Sequence, residues 1–387
     1  MKSMIQKNKD RETETMKYTI CITRECNLRC QYCYIEKKKS VMPIDTAQEV
    51  IEFIFKNTPP EEKFNIGFFG GEPLLEFELI KALIRSIKTH PLFNNGSAAF
   101  TVVSNGTIFS DEIADFLVKQ DITFGISCDG PPEIQDMFRY YPGGQGSSTT
   151  VESTIRRAIE ALPSLMVNAV YHPRTISQLP RVVDYFSSLG IRQIYLTPDF
   201  SAPWSKKETE LLPGIYKQVA QQYIDYYLEG DPHYISLIDS KVAVILKDGH
   251  KPADRCTMGK GEFAFAPSGN VYPCERLIGS DDGEKHCIGN IFTRLEPGRM
   301  CRQMHRDGEI NPECKNCSIS DFCMNWCGCS NYFSSGYYNR VGPFLCASEK
   351  TSILTAFDVF QTLENRLGAV YIDYLTRSQD SIYSQGS

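Results

Sequence analysis

Between Tyr18 and Pro198 the chain alternates two hydrophobic periods. Short runs rich in β-branched and aromatic residues, at Tyr18–Thr23, Phe64–Phe69, Ala99–Val103, Thr123–Cys128, Met166–Tyr171 and Gln193–Thr197, predict six strands. Between them apolar residues recur at helical spacing. Val50, Ile51, Ile54 and Phe55 share one face after a candidate N-cap at Asp45, and Ile113, Phe116 and Leu117 do so after Ser110. Strand followed by helix, repeated along the chain, predicts an α/β fold with a parallel sheet and crossover helices. An open or partial (β/α) barrel fits this reading better than a doubly wound sheet, but periodicity leaves strand order open. A helical bridge is expected over 206–250. From Cys256 to Cys346 glycines become frequent and long apolar runs few, so this region is expected to fold around metal. After Ala347 the pattern is helical again, ending in a frayed tail.

Composition narrows the class. At 387 residues, 42% hydrophobic and 23% charged, the chain reads as a soluble globular protein, which excludes disorder and fibrous repeats. A net charge of −6 gives no basic footprint, so nucleic acid is not an expected partner. The N-terminal stretch has no apolar core of a signal peptide and no later run spans a membrane, so a cytoplasmic protein with no membrane partner is expected. Fifteen cysteines in a reducing compartment point to thiolate metal ligation, and the odd count would leave one thiol over in a disulfide framework.

Directly after the first strand, CITRECNLRCQYCY places Cys26, Cys30 and Cys33 in a CxxxCxxC spacing. Three thiolates on one loop can hold three corners of a 4Fe-4S cube and leave the fourth iron open for a substrate or cofactor. A zinc knuckle or buried structural thiols are the alternatives, although zinc usually takes four protein ligands and no fourth is near in sequence. Cys21 reads as a small core residue.

The string CNLRCQYCY, with an aromatic before the third cysteine, resembles the signature of the radical S-adenosylmethionine (SAM) enzymes. FFGGEP (Phe68–Pro73), SNGT (Ser104–Thr107) and SCDGPPEIQDMFR (Ser127–Arg139) follow the second, third and fourth strands, strengthening the resemblance over roughly residues 18–200. It implies a partial (β/α)6 TIM-type barrel. It also implies that Cys26, Cys30 and Cys33 hold a 4Fe-4S cluster whose open iron binds SAM. One electron then cleaves SAM to methionine and a hydrogen-abstracting 5′-deoxyadenosyl radical.

By the same resemblance Glu72 accepts from the methionine ammonium, and Gly70 and Gly71 allow close backbone approach. Ser104 and Asn105 are assigned near the ribose or carboxylate, Ser127 and Asp129 near the ribose or substrate, and Arg139 near the SAM carboxylate. Tyr32, Pro73 and Leu196 complete the cofactor-binding set. Taken singly, GGEP is also compatible with a tight turn and Arg139 with a surface cation.

In the last third, Cys256, Gly269 and Cys274 form a Cx12Gx4C string, Cys314, Cys317, Cys323 and Cys327 form CxxCx5CxxxC, and Cys346 follows. These spacings resemble the SPASM extension, which in radical SAM peptide and protein maturases carries two auxiliary Fe-S clusters; zinc ribbons are the alternative. The resemblance assigns Cys314, Cys317, Cys323 and Cys346 to one auxiliary 4Fe-4S cluster and Cys256, Cys274 and Cys327 to the other. Sulfatase maturases have a further cysteine six residues after the first, where this chain has Glu262. The second cluster is therefore open for a substrate atom, uses Glu262 or Cys329, or is smaller. Cys128, Cys287 and Cys301 match nothing and read as buried or incidental thiols. Glu275 stands where sulfatase maturases have a proton-accepting Asp. It is the candidate catalytic base, with pairing to Arg276 or Arg255 as the structural alternative.

The expected layout is an N-terminal extension (1–17), a radical SAM core (18–205), the bridge (206–250), a SPASM domain (251–348) and a C-terminal helix and tail (349–387). With only about 17 residues before the first strand, no winged-helix leader-binding segment is expected there. The expected function is a radical SAM/SPASM maturase that oxidises or cross-links a peptide or protein side chain, with flavodoxin or ferredoxin as electron donor. Formylglycine formation on a sulfatase Cys or Ser is the alternative, with Glu262 and Glu275 counting against it. A non-catalytic Fe-S electron carrier is the third reading, disfavoured because a carrier has no use for GGEP.

Overall fold

The computed structural model describes residues 15–251, 254–256, 258–296, 299 and 311–375. The six expected strands are β1 (Met16–Thr23), β2 (Phe64–Gly70), β3 (Ala98–Ser104), β4 (Ile122–Ser127), β5 (Met166–Tyr171) and β6 (Gln193–Pro198). They pair in parallel and in chain order. A doubly wound sheet reverses direction at an internal strand, so this order identifies a singly wound, barrel-type sheet. Helices α1 (Ile44–Asn57), α2 (Phe77–Lys88), α3 (Asp111–Gln120), α4 (Pro132–Phe138), α5 (Ser148–Ala161) and α6 (Leu179–Ser188) fill the crossovers.

The sheet does not close on itself. The short β7 (Tyr234–Ile235) pairs with the free side of β6, while β8 (Glu262–Phe265) pairs in parallel with the free side of β1. Antiparallel β9 (Asn270–Tyr272) and β10 (Gly289–Asn290) complete a ten-stranded sheet. The cysteine-rich third is thus joined to the barrel through the sheet. Phe263 and Phe265 stack on the buried Tyr18 ring at centroid distances of 6.2 and 6.3 Å, which adds the hairpin to the barrel core.

Local signals hold with two adjustments. Ser110 caps α3 by accepting from the Ile113 N–H at 3.2 Å. Asp45, expected as a cap, lies instead in the first turn of α1, because Pro43 occupies the cap and Ile44 already begins the helix. Its carboxylate still faces the positive helix end. After the bridge helices α7 (Lys206–Leu228) and α8 (Ser236–Leu246) come the short α9 (Pro312–Lys315) and α10 (Gly328–Ser335), then α11 (Pro343–Leu367). α11 starts earlier than its apolar pattern suggests, since Pro343 presets the first helical φ, and Cys346 lies in its opening turn. It packs on α7 and α8 through a 2.8 Å hydrogen bond between Tyr216 and Ser348 and a buried Lys241–Glu349 pair at 2.7 Å.

Asp239 on α8 is buried and accepts from Tyr223 Oη at 2.8 Å and Ile235 N at 2.7 Å. Burial outweighs these bonds and pushes its carboxyl from 3.8 to about 7. The folded state thus keeps a proton that the unfolded chain releases near pH 4. This contribution is complete below about pH 4 and is lost as pH rises toward 7, on the order of 2–4 kcal/mol. The Tm of the wild type relative to Asp239→Asn is expected to fall over that window. A pH-independent difference would refute the assignment.

Candidate functional site

The loops leaving the C-terminal ends of the strands enclose a cavity of about 330 Å³. Ligand sites of barrels form at this end because these loops converge there. Cys26, Cys30 and Cys33 line the cavity together with Tyr32, Gly70, Gly71, Ser104, Asn105, Ser127 and Arg139. Each thiol has a polar neighbour. Leu28 N lies 3.4 Å and Asn105 Nδ2 3.6 Å from Cys26 Sγ, Arg139 Nη1 lies 3.9 Å from Cys30 Sγ, and Lys37 Nζ donates to Cys33 Sγ at 2.8 Å. Burial pushes the Cys30 thiol up to about 11 and raises Cys26 as well. Three convergent thiols, each within reach of a donor, fit a cluster held by three thiolates.

The two glycines act on the scaffold. A Cβ on Gly71 would lie 2.0 Å from the Glu25 carbonyl oxygen, and one on Gly70, at φ +144°, would lie 2.1 Å from that of Thr23. Their absence lets Gly71 N donate to Thr23 O at 2.7 Å and Glu72 N to Glu25 O at 2.9 Å. The β2 exit thereby fixes the segment that leads into Cys26.

Glu72 is fully buried. Its carboxylate accepts from Ser104 Oγ at 2.9 Å, Leu74 N at 3.0 Å and Asn105 N at 2.6 Å, tying the β2 loop to the β3 loop. Burial pushes it to about 7. Pro73 is buried as the first residue of a short 3-10 turn. Asp129 is likewise turned inward. Its oxygens accept from Tyr32 Oη at 2.5 Å, Arg139 Nε at 3.1 Å and Val170 N at 3.0 Å, so it orients two cavity-lining side chains. Leu196 is buried in β6, where its N–H donates to Ser236 Oγ at 2.9 Å. None of Glu72, Pro73, Asp129 and Leu196 is among the residues that line the cavity.

Sequence reasoning did not single out other lining residues. Lys37, Asn168, Asp199, Phe200, Ser201 and Phe333 also face the cavity. Asp199 could have been found as the first polar residue past a barrel strand, whereas Phe333 carries no such signal. Arg276 lines the cavity too, with its guanidinium 4.9 Å from the centre of the Phe200 ring.

Glu275 lines the same cavity as the three N-terminal cysteines. Among the described residues it forms no ion pair with Arg276 or Arg255. Behind it, Cys274 donates to Glu275 Oε2 at 3.6 Å, and one ligand atom each from Glu262, Cys274 and Glu275 lie within 4.8 Å of one another. Cys256 Sγ donates to Glu262 Oε2 at 3.3 Å, and Cys327 and Cys329 meet sulfur to sulfur at 3.8 Å. The other predicted set is also close. Cys314, Cys317 and Cys346 interact electrostatically, as do Cys323 and Cys346. Cys21, Cys128 and Cys287 are buried, as small core residues are, and Cys301 lies outside the described residues.

Comparison with known proteins agrees with this geometry. Residues 20–186 match the radical SAM superfamily. The chain is 22% identical over 322 residues to a cysteine-type anaerobic sulfatase-maturating enzyme of Clostridium novyi, covering 78% of this chain and 84% of that one. It is 23% identical over 344 residues to a radical SAM cyclopropyl synthase of Paramaledivibacter caminithermalis, covering 80% and 66%. The fold superposes with a TM-score of 0.73 on native anSMEcpe with bound AdoMet and Cp18Cys peptide, at 21% identity and covering 90% and 99% of the two chains. With its cysteine triad, GGEP loop and singly wound sheet arranged around one cavity, the chain is an enzyme that carries a radical SAM domain over residues 20–186.

Proposed function

We propose that the protein is a radical SAM maturase that abstracts hydrogen from a peptide or protein side chain and ends in oxidation or a cross-link. The observation that carries this reading is the shared cavity. Glu275 and Arg276, from the cysteine-rich third, face it opposite Cys26, Cys30 and Cys33. SAM bound at a cluster on those three thiolates would supply a 5′-deoxyadenosyl radical. Arg139, held by Asp129, offers a fixed cation for an anionic group of the cofactor. Ser104, Asn105 and Ser127 offer hydrogen bonds beside it. Glu275 would take the proton released as the substrate is oxidised, a reading supported by its position in the cavity lining.

The SPASM reading adds two auxiliary clusters, on Cys314, Cys317, Cys323 and Cys346 and around Cys256, Cys274 and Cys327. These would accept the electron that oxidation leaves behind, and a flavodoxin or ferredoxin would reduce the first cluster. The sulfatase-maturating relative and its peptide-bound structural counterpart support a peptide substrate. Formylglycine formation on a sulfatase Cys or Ser is the second reading, favoured by that relative and opposed by Glu262 and Glu275.

Anaerobically reconstituted protein with SAM and dithionite is expected to release 5′-deoxyadenosine, detected by chromatography. Its absence would overturn the radical reading. With a modified peptide identified, Glu275→Gln is expected to slow product formation roughly 100-fold, since it keeps shape while removing basicity. Deoxyadenosine release and iron content should stay within about twofold of wild type. Unchanged turnover per intact cluster set would remove Glu275 as the base.

A further inference from the structure

We propose that Cys329 is the fourth protein ligand of the metal centre held by Cys256, Cys274 and Cys327, replacing the cysteine that Glu262 has displaced. The inference rests on the reading of those three residues as a metal site and assigns what completes it.

The local chain geometry brings Cys329 to the set. Cys327 is the N-cap of α10 in an extended conformation, at φ −72° and ψ 98°, and Cys329 is the second residue of that helix. The extended cap turns the Cys327 side chain back over the first helical turn, which leaves the two sulfurs 3.8 Å apart. At that separation both thiols are within reach of one metal centre. On its other side Cys329 interacts with Cys274. Cys329 therefore touches Cys327 and interacts with Cys274, and Cys256 interacts with both Cys327 and Cys329.

The surroundings suit a thiolate at this position. Cys329 is 5% exposed and Cys274 3%, so neither is a surface thiol. Arg276, half-buried, faces Cys329 and offers it a positive charge, and the N-terminal end of α10 adds another favourable field. Glu262 is the rival ligand. It bonds Cys256 at 3.3 Å and approaches Cys274 and Glu275, but its hard carboxylate suits iron in a sulfur cluster less well than a soft thiolate. Glu262 and Glu275 are left as adjacent carboxylates beside a closed, four-thiolate centre, with Glu275 lining the cavity. Such a centre has no open position for a substrate atom and is suited to receiving an electron.

The full chain, reconstituted anaerobically with iron and sulfide, decides the assignment through iron and sulfide content and the paramagnetic resonance spectrum of the reduced protein. Cys329→Ala and Cys329→Ser are expected to lower iron content by up to about a third of the fully loaded value, or to replace one reduced signal by another. Glu262→Gln is expected to leave both readouts unchanged. If Cys256→Ala lowers the iron and both Cys329 variants match wild type, the metal site stands and Cys329 is not its ligand. A loss of iron in Glu262→Gln with wild-type values in Cys329→Ser would assign the fourth position to the carboxylate and overturn the proposal. If Cys256→Ala also matches wild type, the reading of this site as a metal centre fails, and the proposal fails with it.

Discussion

Cys30→Ala is expected to abolish 5′-deoxyadenosine formation, by at least about a thousandfold, and to lower the iron content of reconstituted protein by about four atoms. Cys30 is the middle member of the triad. Cys26 before it is buried and Cys33 after it exposed, and its sulfur lies 3.9 Å from the Arg139 guanidinium. Alanine leaves two thiols, too few to hold three corners of a cube, and removes the sulfur that the buried Arg139 faces on that side. A general loss of folding would imitate this result, so a second buried cysteine serves as control. Cys128 is 2% exposed, lies off the cavity and bonds only weakly to Gly130 O at 3.6 Å. Cys128→Ala is expected to keep deoxyadenosine release within a few-fold of wild type. Substantial SAM cleavage in Cys30→Ala would show that the triad is not the site of that chemistry.

Gly71→Ala is expected to impair the same centre without touching a ligand. The added Cβ would meet Glu25 O at 2.0 Å, Glu25 C at 2.5 Å and Arg24 C at 2.9 Å, all backbone atoms that no rotamer change can clear. The chain from Thr23 to Glu25 must move, and Cys26 is the next residue. The expected outcome is a loss of the N-terminal cluster, read as about four irons, with SAM cleavage down by two orders of magnitude or more. The iron of the cysteine-rich third should remain. Gly214→Ala provides the contrast, because this glycine sits within α7 and a Cβ there would meet nothing within 4 Å. At that position alanine should raise stability by roughly 0.5–1 kcal/mol through reduced unfolded-state freedom and better helix propensity. Wild-type iron and turnover in Gly71→Ala would mean that the tight backbone approach does not position the cysteine loop.

The six barrel strands, the α3 cap at Ser110 and the cysteine triad were legible in the sequence because each is a short-range pattern. Period-two burial in Met166–Tyr171, a side chain three residues from the N–H it caps, and a CxxxCxxC spacing all involve neighbours along the chain. The resemblance carried further, placing Glu72, Ser104, Asn105, Asp129 and Arg139 on loops around one site. It did not give their orientation. Glu72 and Asp129 turn inward because buried carboxylates need donors, and the donors nearest them are Ser104, Asn105 and Leu74 in one case and Tyr32, Arg139 and Val170 in the other.

Only the tertiary structure joined the two halves of the chain. The pairing of Lys17 with Glu262 and of Ile20 with Phe265 leaves no periodic trace, since contacts so far apart in sequence depend on how the whole sheet assembles. That pairing extends the barrel sheet into the cysteine-rich third, and in the assembled fold Glu275 and Arg276 line the same cavity as Cys26, Cys30 and Cys33. The convergence of Cys329 with Cys274 and Cys327 has the same origin. Spacing states how many thiols a segment offers, but which of them meet depends on the cap of α10 and on the elements packed around it.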